Sequence, residues 1–284
     1  MNTLYIDSIS GISGNMMIGA LLDLGLDFEY LKTELEKLNV DGYELVHGKR
    51  DKNGIISNYF NVTLHSENHE HTHEHHHEHL HDHDHNHNHE HHHNHTHEEH
   101  HDHKHEHTHE HRNYKDIEQI IDKANLSDYV KALSKKMFYE IAIAEGKIHG
   151  KPLDEVHFHE VGAIDSIVDI VGVAILLEKL DVEEIVSSPL HTGTGFVKCA
   201  HGLFPVPAPA TMEILANNNI PTYSKGIESE LVTPTGAAIA GSIVSEFGPM
   251  PTGEIVKIGY GAGSKDLEIP NVLRLILIKK KLKN

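Results

Sequence analysis

Residues 69–111 hold 24 of the chain's 31 histidines, interleaved with Glu, Asp, Asn and Thr, and Leu80 is the only aliphatic side chain among them. Such a stretch removes too little apolar surface from water to offset the entropy lost on ordering. The composition therefore predicts a disordered insertion over residues 66–112, within a chain that must fold from its two flanks. Neutral imidazole ligates nickel, copper and zinc, so a tract this dense predicts metal capture and leaves the metal open among the three. The plainer reading is a polar linker. In either case the tract has no means of fixing geometry, so any chemistry has to come from the flanks.

The tract also accounts for most of the charge. Residues 67–111 carry net -11 of the chain's -19, and the remainder is mildly acidic. No basic groove for nucleic acid is visible, and Lys279-Lys280-Lys281 reads as a solvated tail. No apolar run reaches the roughly 20 residues of a membrane span. The opening residues lack the basic region of a signal peptide. A lone cysteine, Cys199, precludes an internal disulfide framework and suits a reducing compartment. A cytoplasmic protein with neither nucleic-acid nor membrane partners is expected.

The flanks read as α/β, with a mixed or mostly parallel sheet flanked by helices and the His-rich loop inserted into a single domain over 1–284. A buried strand is expected over residues 4–7 and a turn over 11–14. Helices follow at 15–24 and 28–38. Strands at 43–50 and 55–65 flank Lys52-Asn53-Gly54, a strong hairpin signal. Two helices are expected from Tyr114 to about Lys147, and an apolar one from Ala163 to Leu180. Further helices are expected at 208–217 and 235–247, and final strands at 254–260 and 272–278.

Several motifs carry chemistry. In His157-Phe158-His159-Glu160 the two imidazoles are i and i+2, so an extended segment turns both to one face and Phe158 to the other. The apolar helix that follows carries Asp165 and Asp169 one turn apart on one face. Like charges repel there, and a buried carboxylate without a partner is costly. A cation between them relieves both costs, and so does a Lys or Arg from elsewhere. Cys199 and His201 share the i, i+2 spacing and form a soft ligand pair; the thiol alone also suits a small buried hydrophobe. His191 precedes the glycine-rich Thr192-Gly193-Thr194-Gly195. Two strand-to-helix turns, Ser10-Gly11-Ile12-Ser13-Gly14 and Thr233-Pro234-Thr235-Gly236, can offer N–H groups to an anion or serve as capped turns. Neither is a Walker loop or a dinucleotide fingerprint.

Taken together, four segments resemble the LarC nickel insertion family. They are Asp7-x-x-Ser10-Gly11-Ile12-Ser13-Gly14-Asn15-Met16, the stretch from His157 through Asp165 and Asp169, Val197-Lys198-Cys199-Ala200-His201-Gly202 with its following Pro205-Val206-Pro207-Ala208-Pro209, and Thr233-Pro234-Thr235-Gly236. A His-rich insertion at this place is typical of the family, and the resemblance covers essentially the whole chain. It implies CTP-dependent insertion of nickel into pyridinium-3,5-bisthiocarboxylic acid mononucleotide, making the nickel-pincer cofactor of lactate racemase-type enzymes. The class is a nickel chelatase, a lyase. Asn15 stands where the family usually has Asp. Members of full length continue into a part that binds CTP with Mg²⁺ or Mn²⁺, and this chain resembles the N-terminal polypeptide alone. CTP-dependent insertion is therefore expected to need a C-terminal partner, separate or fused, and the apo racemase is a further expected partner.

The site expected from these motifs has Asp7, Asp165 and Asp169 as catalytic carboxylates. Ser10, Gly11, Ser13, Gly14, Thr235 and Gly236 are the expected substrate- or cofactor-binding residues. His157, His159, Glu160, His191, Cys199 and His201 are the expected metal ligands. Two other functions fit parts of the pattern. A nickel or zinc store without catalysis explains the tract but not the Asp-bearing helix. A metal-dependent hydrolase of a phosphorylated small molecule explains the folded His/Asp set but leaves the tract as an accessory.

Overall fold

Alternation in Asn2–Asp7 (β1) puts Leu4 and Ile6 into the main core and Tyr5 into a smaller cluster with Val186, Ile276 and Ile278. In the computed structural model, the described residues are 2–65, 112–156, 158, 163–199 and 202–280. Apart from Arg112, the insertion expected at 66–112 lies outside them. The described elements all belong to one compact unit.

Helices α1 (Gly14–Asp23) and α2 (Phe28–Glu36) come next. Strands β2 (Tyr43–Lys52) and β3 (Ile55–Leu64) then form a full-length antiparallel hairpin. Its two loop residues, Asn53 and Gly54, both have positive φ, 53° and 86°, which matches the twist of the flanking strands. Helices α3 (Tyr114–Lys123) and α4 (Asp128–His149) start at side-chain caps, Asn113 and Ser127. Helix α5 (Ile164–Leu180) is buried along most of its length from Ile167 onward, as its nearly continuous apolar sequence predicts.

The C-terminal half alternates short strands with helices. In order these are β4 (Glu184–Ser187), β5 (Leu190–His191), β6 (Gly193–Thr194), β7 (Phe196–Cys199), β8 (Gly202–Pro205), α6 (Pro209–Asn217), β9 (Thr222–Tyr223), β10 (Ser229–Glu230), α7 (Pro234–Ile243), β11 (Glu246–Phe247), β12 (Glu254–Ala262) and β13 (Val272–Lys279). Helix α7 stops short of the expected 247. Val244 turns to extended backbone, and residues 246–247 join the sheet beside β4. Backbone bonds from Ser245 to Ile185 and from Gly248 to Ser187 secure that edge.

The main sheet has the order β11-β4-β1-β13-β12-β3-β2. It is mixed: β1 runs parallel to β4 and antiparallel to β13, while β12 runs antiparallel to β13 and parallel to β3. Helix α1 lies on β12, β3 and β13, α5 packs on α1, and α4 packs on α5, α6 and α7. Glycine permits the close approach of α1 to β12: a Cβ on Gly261 would lie 1.8 Å from the Met16 carbonyl oxygen. This layering brings the starts of α1, α5 and α7 toward the carboxyl end of β1.

Candidate functional site

The chain leaves β1 at Asp7 and crosses to α1 through a loop held on several sides. The Ser10 hydroxyl donates to the Pro270 carbonyl at 2.6 Å, and the Ser8 N–H donates to Ser188 Oγ at 3.0 Å. Ile12 exchanges backbone bonds with Leu231 and Thr233, so the approach to α1 runs beside the approach to α7. Ser13 caps α1 in extended backbone, yet its hydroxyl bonds to Asn15 Oδ1 at 2.6 Å instead of to a helix N–H. In α7, Thr233 accepts from the Gly236 N–H at 3.0 Å and Pro234 occupies the first turn. A Cβ on Gly236 would meet the Ile12 carbonyl oxygen at 2.0 Å, so glycine is required where the two helix starts meet. The structure thus brings Ser13 and Gly14 beside Thr235 and Gly236, four of the expected binding residues. Gly11, at φ 84°, shapes the turn, and Ser10 is buried in it.

Asp169, one turn into α5, packs directly on the start of α1. A Cβ on Gly14 would lie 2.7 Å from Asp169 Oδ2. The Asn15 backbone N–H bonds to this carboxylate, while Asp169 Oδ1 is buried with no hydrogen-bond partner. Burial holds the carboxyl well above its ordinary range, the neighbouring charge of Asp165 pushes it further up, and the Asn15 N–H pulls the other way. Asp165 accepts from the Ser166 N–H at 2.8 Å. The two carboxylates therefore face the energetic problem posed by their spacing. No described Lys or Arg is seen to pair with Asp169. A bound cation or a retained proton would satisfy Oδ1.

Asp7 is engaged at the end of β1. Register places it opposite Arg274 of β13, whose guanidinium donates to Asp7 Oδ2 through both Nε, at 3.0 Å, and a terminal nitrogen. Close by, His191 is almost fully buried and stacks on Tyr223 with centroids 4.8 Å apart. Its Nδ1 donates to the Ile9 carbonyl at 2.7 Å, and its Nε2 accepts from the Lys225 N–H at 3.0 Å. With both nitrogens held by backbone, His191 fixes the loop between β1 and α1 and presents no free ligand atom.

Cys199 is partly buried in β7, opposite Gly202 of β8. Phe158 is 2% exposed, packs near Phe138 and donates its N–H to the Arg112 carbonyl. It sits in the core as the alternation predicts. His157, His159, Glu160 and His201 lie outside the described residues. Among the described residues, no three His, Cys, Asp or Glu side chains form a group that could hold a metal ion.

A cavity of about 240 Å³ opens beside the two helix starts, lined by Ser13, Asn15, Thr233, Lys265 and Asn271 among others. Lys265 and Asn271 were not legible as site residues in the sequence. The glycine-rich end of β12, Gly259-Tyr260-Gly261-Ala262, leads into their loop, but only the return of β12 to β13 places that loop over α1. Arg274 was hidden for the same reason, since its partner Asp7 is 267 residues away.

Comparison with known proteins gives the family. The family model described as nickel insertion protein matches residues 4–284. The chain is 46% identical over 277 residues to a pyridinium-3,5-bisthiocarboxylic acid mononucleotide nickel insertion protein of Acetivibrio thermocellus, covering 98% of this chain and 60% of that protein. Proteins of the same name from Clostridium kluyveri and Lactiplantibacillus plantarum are 48% and 46% identical over 281 and 290 residues, covering 98% and 99% of this chain. The chain spans about 62% of the length of each of those two. No solved structure matches significantly. No described helix is long and apolar enough to cross a membrane. The family-model match along nearly the full chain and the identity to these relatives place this protein in the nickel insertion protein family.

Proposed function

We propose that this chain takes part in inserting nickel into pyridinium-3,5-bisthiocarboxylic acid mononucleotide, the substrate in the names of its relatives. The observation that carries the proposal is the buried Asp169 carboxylate, one oxygen unpaired, set against Asp165 and the start of α1. A divalent cation in transit satisfies that oxygen and screens the two like charges. Nickel is the cargo. Asp165 and Asp169 hold it during transfer, with His157, His159, Glu160, Cys199 and His201 as the softer donors and the histidine tract as the reservoir. A mixed donor set of this kind leaves exchangeable positions for the substrate's sulfur atoms.

Asp7 orients Arg274 at the end of β1, and His191 fixes the adjoining loop in place of ligating metal. Ser10, Gly11, Ser13, Gly14, Thr235 and Gly236 shape the ground on which the nucleotide sits. CTP, with Mg²⁺ or Mn²⁺, enters the proposal through the share of the relatives' length that this chain does not span. The product is the nickel-pincer cofactor of racemase-type enzymes in the cytoplasm, and the apo enzyme receives it.

The test is reconstitution. The purified chain, nickel, the bisthiocarboxylate mononucleotide and CTP are incubated with and without the polypeptide covering the unmatched share of the Acetivibrio relative. Nickel-dependent absorbance of the product is expected only with that polypeptide present. Nickel bound but never transferred, with the polypeptide and CTP both supplied, would reduce the chain to a store.

A further inference from the structure

The loop between β12 and β13 is held more firmly than its exposure suggests. Lys52, at the end of β2, is 3% exposed, and its ammonium donates to Asp266 Oδ1 at 2.7 Å and to the Lys265 carbonyl at 3.1 Å. The buried Asn271 amide donates to the same Lys265 carbonyl at 2.9 Å. Two donors, one from the end of β2 and one from the loop's own C-terminal end, therefore grip one carbonyl, and the residue they fix is a lysine. Burying an ammonium is costly unless its donors are used, so Lys52 constrains this loop tightly. The Lys265 ammonium reaches Ser229 Oγ at 3.4 Å, and among the described residues no carboxylate pairs with it.

Among the described residues, Lys265 is also the one cation lining the cavity beside α1 and α7. Hydroxyls of Ser13 and Thr233 and the amides of Asn15 and Asn271 make up much of the remaining polar wall, which also includes the acid Glu230. At about 240 Å³ the cavity is smaller than the roughly 300–1,000 Å³ that encloses a whole small ligand, so it takes one end of one. A lysine ammonium held by a hydroxyl, set among further hydroxyls and amides, suits a phosphate monoester.

We infer that Lys265 anchors the phosphoryl group of the mononucleotide in this cavity, with Lys52 and Asn271 as the residues that position it. The inference rests on the proposed substrate and names the part of the site that holds its phosphate. The same chemistry could come from the triphosphate of CTP, and the experiment separates the two.

Calorimetric titration of the full chain with ribose 5-phosphate and, separately, with CTP is the direct test. Lys265 is exposed, so replacing it leaves the fold intact. K265M is expected to weaken ribose 5-phosphate binding by about tenfold or more, the loss expected for one charge-assisted hydrogen bond, while K265R stays within about threefold of wild type. The heat of CTP titration, small because CTP is proposed to bind outside this chain, is the same in K265M as in wild type. In the reconstituted reaction K265M raises KM for the mononucleotide by a similar factor with kcat held. K52M should weaken ribose 5-phosphate binding similarly, and K52M combined with K265M should be no worse than K265M alone, because Lys52 acts through Lys265. Additive losses would overturn the positioning role. Wild-type ribose 5-phosphate affinity in K265M, or a loss confined to CTP, would overturn the anchor. If the wild-type chain never yields nickel product yet K265M still loses ribose 5-phosphate, the proposed reaction fails and the anchor stands.

Discussion

Asp169 is a buried carboxyl whose electrostatic cost and proposed role in nickel transfer can be tested in one variant. Its ordinary carboxyl pKa is 3.8, and burial raises it well above that in the fold. Between the two values the folded state binds more protons than the unfolded one, so stability contributed by this group falls as pH rises through that window. Asn cannot titrate and carries no charge. D169N is therefore expected to match wild type most closely near pH 4 and to become relatively more stable as pH rises, while abolishing nickel transfer. Thermal melts from pH 4 to pH 8 check the first part, and a gap that does not change with pH would refute it. Bulk nickel capture by the histidine tract should survive in the same variant. Phe158 offers a structural contrast. It is 2% exposed between two expected ligands, and F158A should cost about 3–5 kcal/mol in denaturant unfolding.

Helix starts are where the elements of this fold meet. The backbones of α1 and α7 approach so closely that only glycine fits at Gly236, and a methyl group there would press on the Ile12 carbonyl at 2.0 Å. G236A is expected to destabilise the chain by about 1–3 kcal/mol, the usual cost of overpacking, and to weaken mononucleotide binding. Gly48, in β2, is the control, because a Cβ there meets nothing within 4 Å. G48A should leave both stability and binding near wild type. Equal effects of the two substitutions in chemical unfolding would show that the helix junction is not the sensitive point.

At the scale of the whole molecule, the proposed function divides the work between the histidine tract and the rest of the chain. Deleting residues 66–111 should sharply lower the number of nickel ions bound, measured by equilibrium dialysis, yet spare insertion when nickel is saturating. Complete loss of insertion at saturating nickel would defeat this division. Capture by the intact chain should also weaken as pH falls below about 6, because protonated imidazole cannot ligate. Titrations at two pH values would reveal it.

Much of the architecture was legible because it is written at short range. Asn53-Gly54 set the hairpin through backbone conformations that few other residues adopt. The nearly continuous apolar sequence of α5 required burial, and its two aspartates announced an electrostatic cost that the fold then displays. The 246–247 edge strand was misread as helix because α7's apolar pattern runs on without a break; pairing with β4 overrides it. Other decisions belong to tertiary structure alone. His191 looks like a ligand in sequence, and only packing shows both its nitrogens committed to backbone. Asp7 meets Arg274, and Lys52 grips the loop of Lys265, across more than 200 residues. Periodicity and turn chemistry act over a few residues, so they specify elements. Which side chains then face one another depends on strand order and helix layering, and these follow from burying the whole apolar surface at once.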